Sequence, residues 1–132
     1  MGARLRYAKV IDRELFYARG GRLHPGLDSK VLLDDQLGRA AAFLLLRGWS
    51  DDHGSFTEAW RIESPGGVPV YEGQPREVHL PSESHTERLE DEIADLRLEH
   101  EGDYEVVFTI DDKQVARVRF PVVAAPRSGA LE

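Results

Sequence analysis

A chain of 132 residues, 41% hydrophobic and 31% charged, has enough apolar material for one ordered core and too much for a disordered tract. Its net charge of −7 works against broad electrostatic binding of nucleic acid or of an anionic membrane surface. With no cysteine, disulfides, thiolate catalysis and Cys-ligated metal centres are excluded, which points to the cytoplasm.

In chain order, "RLRYAKVIDRELFYARGGRL" has apolar residues at 5, 7, 8, 10, 11 and 15 to 18, a spacing that satisfies neither the helical nor the strand period. Two short strands broken near Asp12 and Arg13 are expected, with Gly20 and Gly21 as a turn. Nothing here resembles an export signal. A connecting segment follows, with one short strand at 30 to 33. Residues 39 to 49, "RAAAFLLLRGW", are apolar on both faces, as in a central strand covered on two sides. A buried helix would show the same run, but its shortness and the flanking Gly48 favour a strand. It falls far short of the roughly 20 residues of a membrane span.

The segment "SFTEAWRIESPGGVPVYEG" reads as a hairpin. Phe56, Trp60 and Ile62 share one face, "SPGG" has turn chemistry with Gly66 and Gly67, and Val68 and Val70 open the return strand. Between 81 and 101 two patterns compete. Ser84 and Glu87 fit a helix capping box, while Leu96 and Leu98 alternate like a strand. A short helical turn or loop near 84 to 91 and then a strand from about 93 to 99 satisfy both. Residues 103 to 123 alternate cleanly, with Tyr104, Val106, Phe108 and Ile110, then Ala116, Val118, Phe120 and Val122, forming one face of an antiparallel hairpin that turns at 111 to 114. One domain over 1–123 is expected, with 1–25 as an added or exchanged edge and 124–132 as a frayed tail.

Seven to nine short strands with regular turn signals suggest an antiparallel β-sandwich, with a small barrel as the alternative. The stretch "LRLEHEGDYEVVF" resembles the E–F corner of immunoglobulin-like and fibronectin-like domains: a Leu-x-Leu strand, a turn ending at Gly102, and Tyr104 opening the next strand. The resemblance implies an all-β immunoglobulin-like sandwich. It makes Tyr104 the corner tyrosine, its hydroxyl bonded back to the corner backbone, puts Val106 where antibody domains have their second cysteine, and makes Trp60 a core tryptophan. It covers roughly residues 39–123 and implies little about function.

The candidate chemistry is sparse. His24, His53, His79, His85 and His100 lie near many serines, but no nucleophile-elbow motif surrounds any of them, so no catalytic residue is assigned and no enzyme or cofactor is expected. In the resembling fold Asp51, Asp52 and His53 share one pole with Asp111 and Asp112, where the four carboxylates suit a hard cation or a basic partner. Hydrated turns explain the same aspartates. Trp49 and Tyr71, near loops, are candidates for stacking on a sugar ring, although a core aromatic is the commoner outcome.

The charge is uneven. Twelve acidic residues between Ser82 and Asp112 face only Arg88 and Arg97, whereas residues 1–22 hold six basic residues against Asp12 and Glu14. Arg4, Arg6, Arg13 and Arg19 on the leading segment are therefore interface candidates, pairing with the acidic region of the same chain or of another. The expected function is a non-enzymatic module working through protein–protein contacts, with another protein or a second copy as partner and neither nucleic acid nor membrane. The alternative is a cation- or carbohydrate-binding module using the loop pole.

Overall fold

The computed structural model describes residues 2–22, 29–34 and 38–125. Its strands are β1 (Arg4–Asp12), β2 (Val31–Asp34), β3 (Arg39–Ala40), β4 (Phe43–Ser50), β5 (Gly54–Glu63), β6 (Pro69–Glu72), β7 (Arg76–Leu80), β8 (Glu87–Ile93), β9 (Gly102–Ile110) and β10 (Lys113–Ala124), with one helix, α1 (Arg13–Ala18). Three strands form a small antiparallel sheet in the order β1-β4-β8. The others form a larger one, β3-β2-β10-β9-β5-β6, with β7 also on β5. No helix among the described residues is long and apolar enough to cross a membrane.

The larger sheet overturns the expected immunoglobulin-like antiparallel sandwich. β2 runs parallel to β10, with Val31 opposite Val122 and Ala124 opposite Leu33, and the sheet curls into a mixed half-barrel over the small sheet. The physical reason for the difference is that parallel pairing has no local signature: β2 is four residues long and pairs with β10 residues 91 positions later in the chain.

The hairpin of β9 and β10 turns on Asp111 and Asp112, both at positive φ (49° and 69°), as a two-residue loop between twisted strands requires. Asp111 is held there by Thr57: its amide donates to the Thr57 carbonyl at 3.0 Å, and its carboxylate accepts from the Thr57 amide at 2.9 Å. β6 and β7 lie on the same edge of β5 as one strand interrupted at 73 to 75. A Cβ at Gly73 would meet the Trp60 ring at 2.3 Å, so only glycine lets the chain pass there.

β4 is buried along all eight residues. Phe43, Leu45 and Trp49 face the main core; Leu44 and Leu46 face the other way and pack with Ile11 and Phe16. That second layer is α1, where the sequence pattern suggested a second strand at 15 to 18. The Asp12 carboxylate caps it by accepting from the Leu15 amide at 3.0 Å, and Phe16 drops onto the sheet. A six-residue helix shows too little of its 3.6-residue period to be read from spacing.

The other displaced element is β8, at 87 to 93 rather than 93 to 99; no helical turn forms at 84 to 91. Its burial alternates, Leu89, Asp91 and Ile93 inward against exposed Arg88, Glu90 and Glu92. Leu96 and Leu98 are buried beyond it by backbone bonds to 38–40: the Ala40 amide donates to the Leu96 carbonyl at 2.8 Å, and the Leu98 amide to the Gly38 carbonyl at 3.1 Å. The Tyr104 hydroxyl donates to the His100 carbonyl at 2.7 Å, and burial raises its pKa above the ordinary value. Gly102, at φ 142°, leaves room for Pro65, whose Cγ a Cβ would approach to 2.9 Å.

Candidate functional site

The strongest convergence of charged groups lies between the sheets, at residues for which the sequence pattern suggested no role. Arg47 and Glu58 have fully buried side chains. Arg47 sits on the inward row of β4 with Phe43, Leu45 and Trp49, and Glu58 on the inward row of β5 with Phe56 and Trp60. Their pairing is bidentate, Arg47 Nε to Glu58 Oε2 at 2.8 Å and Nη2 to Oε1 at 2.6 Å. Trp49 Nε1 adds a third donor to Oε2 at 2.6 Å. On the far side Arg47 Nη1 reaches Asp91 Oδ2 of β8 at 2.9 Å. Asp91 also accepts from Trp60 Nε1 at 3.2 Å and from Arg76 Nη2 at 3.0 Å.

Burial alone would lower the Arg47 pKa, but the hydrogen bonds and charge of Glu58, with the charge of Asp91, outweigh it and hold the guanidinium above its ordinary value. All four carboxylate oxygens already accept from protein donors, and Glu58 is wholly buried. The group acts as a clamp, tying β4 and β8 of one sheet to β5 and β7 of the other. Parity was the available signal: Arg47 and Glu58 each occupy an inward position of an otherwise apolar alternation.

The loop aspartates are engaged one by one. Asp51 lies 3.5 Å from Arg6 and 3.9 Å from Arg4. Asp52 accepts from the His53 amide at 2.8 Å and the Gly2 amide at 3.1 Å, bonds that lower its pKa. Asp111 serves Thr57, and Asp112 is exposed at the hairpin tip. Among the described residues no three His, Asp or Glu side chains gather as a metal site. Trp49 is 0% exposed and cannot stack on a sugar. Tyr71 stacks on Trp60 with ring centroids 5.7 Å apart.

The histidines do not converge either. His79 Nδ1 lies 3.0 Å from the Ser55 hydroxyl, His85 pairs with Glu87 at 2.8 Å and His100 approaches Glu99 at 3.7 Å; His24 lies outside the described residues. Of the interface candidates, Arg13 meets Glu92 at 3.0 Å within the chain and lies over the Tyr17 ring. Arg19 caps the end of α1, its amide donating to the Leu15 and Phe16 carbonyls. Arg4 and Arg6 stand on β1, which pairs with β4 of its own sheet.

Where β1 passes β10, the interface of the two sheets is open. Among the described residues β1 is an edge strand, and β10 pairs on that side only with β2, at Val122–Ala124. Between the two edges runs a groove of about 600 Å³. Its floor is Ala3, just before β1, Leu5 and Ala8 from β1, and Ala116 and Val118 from β10, all half-buried against the main core. Val115, 47% exposed, stands at its mouth. Further along β1 the Ser29 hydroxyl donates to the Val10 carbonyl at 2.8 Å and accepts from the Val10 amide at 3.3 Å.

No protein-family model matches the chain, and no curated protein matches it. Similarity to solved structures exists at the level of fold. A β-glucosidase from Listeria innocua aligns with 92% of this chain and 16% of its own, at 12% identity and a TM-score of 0.50. The alkylpurine DNA glycosylase AlkC of Pseudomonas fluorescens, bound to DNA containing an abasic site analog, aligns with 92% of this chain and 30% of its own, at 14% identity and a TM-score of 0.51. The chain thus spans less than a third of either protein. These neighbours, with the curled mixed sheet, replace the immunoglobulin-like and fibronectin-like resemblance suggested by the corner motif.

Proposed function

We propose that the protein is a non-enzymatic module that works by contact with another protein, through the side on which the two sheets remain open. The observation that carries this reading is the groove between β1 and β10, where half-buried apolar side chains lie between two strand edges that no described strand covers. Free edges are the part of a β protein that other chains pair with. Two further features favour contact over catalysis. The buried charges of Arg47, Glu58 and Asp91 are engaged with one another and with protein donors, and the neighbours in which this fold recurs are much longer enzymes of which it matches only a part. The absence of cysteine favours a reducing compartment, the cytoplasm, as the place of action.

The test is in-cell cross-linking in the native host with tagged wild-type protein, a Val115→Asp variant and a tag-only control. Val115 is exposed, so the substitution leaves the fold intact while placing a charge at the mouth of the groove. A protein cross-linked to wild type and depleted in the variant is the expected result. No protein enriched over the tag-only control by either form would overturn the reading.

A further inference from the structure

Resting on that reading, we infer that the groove accepts an extended acidic segment of a partner protein, added as a strand along the free edge of β10. Backbone geometry selects an extended occupant. β10 is bonded to β9 along its length, yet among the described residues its other side meets only β2, at residues 122 to 124. The remaining stretch offers amides and carbonyls with the spacing of a strand. β2 already occupies the same edge further along, so an added strand continues its line. Pro121, which has no amide hydrogen, marks the junction.

The side chains select the composition. Ala3, Ala8 and Ala116 keep the floor low, and Leu5 and Val118 flank it, which leaves space for apolar side chains at alternate positions of the incoming strand. Its other side chains fall on the outer face, beside Arg117 and Arg119 of β10; the groove itself is lined by Arg4 and Arg117 and by no carboxylate. The carboxylates that pair with Arg4 and Arg117 are shared or engaged elsewhere as well: Asp51 with Arg4 and Arg6, Glu63 with Arg61 and Arg117, Glu105 with Arg117. Arg119 forms no ion pair among the described residues, although it stands opposite Glu105. The groove lining is basic, with two guanidinium groups and no carboxylate, in a chain whose net charge is −7, and acidic residues between the apolar ones complement it.

The experiment follows backbone amide NMR shifts of the whole chain during titration with a blocked nonapeptide of alternating Glu and Val. Controls are the same peptide with Lys for Glu, and one N-methylated at alternate amides. Shifts confined to residues 113 to 119 and 2 to 8 are expected. N-methylation should weaken binding by about tenfold or more, because strand addition rests on those amides. The Lys peptide against wild type, and the Glu peptide against Arg119→Glu, should each weaken by a similar factor of about ten.

Equal binding of the N-methylated peptide, shifts mapping elsewhere, or none at millimolar peptide would overturn the inference. So would the same amides shifting with protein concentration alone, which makes a second copy the occupant. These outcomes are separable from failure of the broader reading. A host protein cross-linked equally to wild type and Val115→Asp keeps the contact function and removes the groove, whereas no cross-linked protein removes both.

Discussion

The two sheets meet along two sides, and the sides are built by opposite rules. On one, β4 and β8 face β5 and β7 across Arg47, Glu58 and Asp91, where every carboxylate oxygen has a donor. On the other, β1 passes β10 across alanines, with backbone edges left unpaired. The clamp fixes how the sheets stack, because a bidentate pair has one good geometry and is costly to separate. The groove adds little to that stacking and is free to serve something else. The same pair of residue types makes the point on both sides: Arg47–Glu58 is wholly buried, while in Arg117–Glu63 the arginine at the rim is 40% exposed.

The largest expected effect therefore lies in the clamp. Glu58→Ala leaves Arg47 in the core with only Asp91 as a counter-charge and removes the acceptor of Trp49 Nε1. A loss of about 3–5 kcal/mol is expected, read as a shift of the urea midpoint at unchanged slope. Replacing both members, Arg47→Met with Glu58→Leu, removes the buried charges together and should recover most of that loss, since Asp91 keeps Arg76 and Trp60. A double variant as unstable as the single one would mean that β4 and β5 need this geometry itself, rather than mere neutrality.

Tyr104→Phe probes the turn that leads into β9. The Tyr104 ring tilts against Phe120 of β10 at 6.1 Å, and its hydroxyl holds the turn leading into β9. The ring stays and one bond goes, so a loss of about 0.5–1.5 kcal/mol is expected, with no change in peptide shifts at residues 113 to 119. A change there would mean that the turn before β9 and the β10 edge are coupled.

How much of this was legible in the sequence depended on where each signal resides. The alternation from Tyr104 to Val122 is local, and the β9–β10 hairpin followed from it. The double-faced run at 43 to 46 announced a strand covered on both sides, but not that α1 supplies one cover, since "ELFYA" is too short to show a period. β8 was obscured by its place at a sheet edge, where outward Arg88, Glu90 and Glu92 meet water and the run resembles a charged helix. The clamp was half visible. Parity put Arg47 and Glu58 inside, yet only the stacking of the sheets brings Asp91 to them from over thirty residues on. The groove depends on where β10 lacks a neighbour, which no stretch of sequence states.

The smallest effect sharpens the contrast between the two Arg–Glu pairs. Hydrogen bonds from Arg61 and then Arg117 hold the Glu63 carboxyl below its ordinary value of 4.5. A depressed folded-state pKa means that Glu63 stabilises the fold above the unfolded value and loses that contribution as pH falls from about 4.5 through the folded one. Glu63→Gln should therefore lower the urea midpoint slightly at pH 7, by less than Tyr104→Phe, because Arg117 at the rim remains solvated. The difference from wild type should shrink toward zero in the acid limb. It should also leave Arg117 freer to meet an acidic peptide and so strengthen that peptide's binding. A difference that persists undiminished below the folded pKa would show that Glu63 acts through packing, and that the rim resembles the clamp more than its exposure suggests.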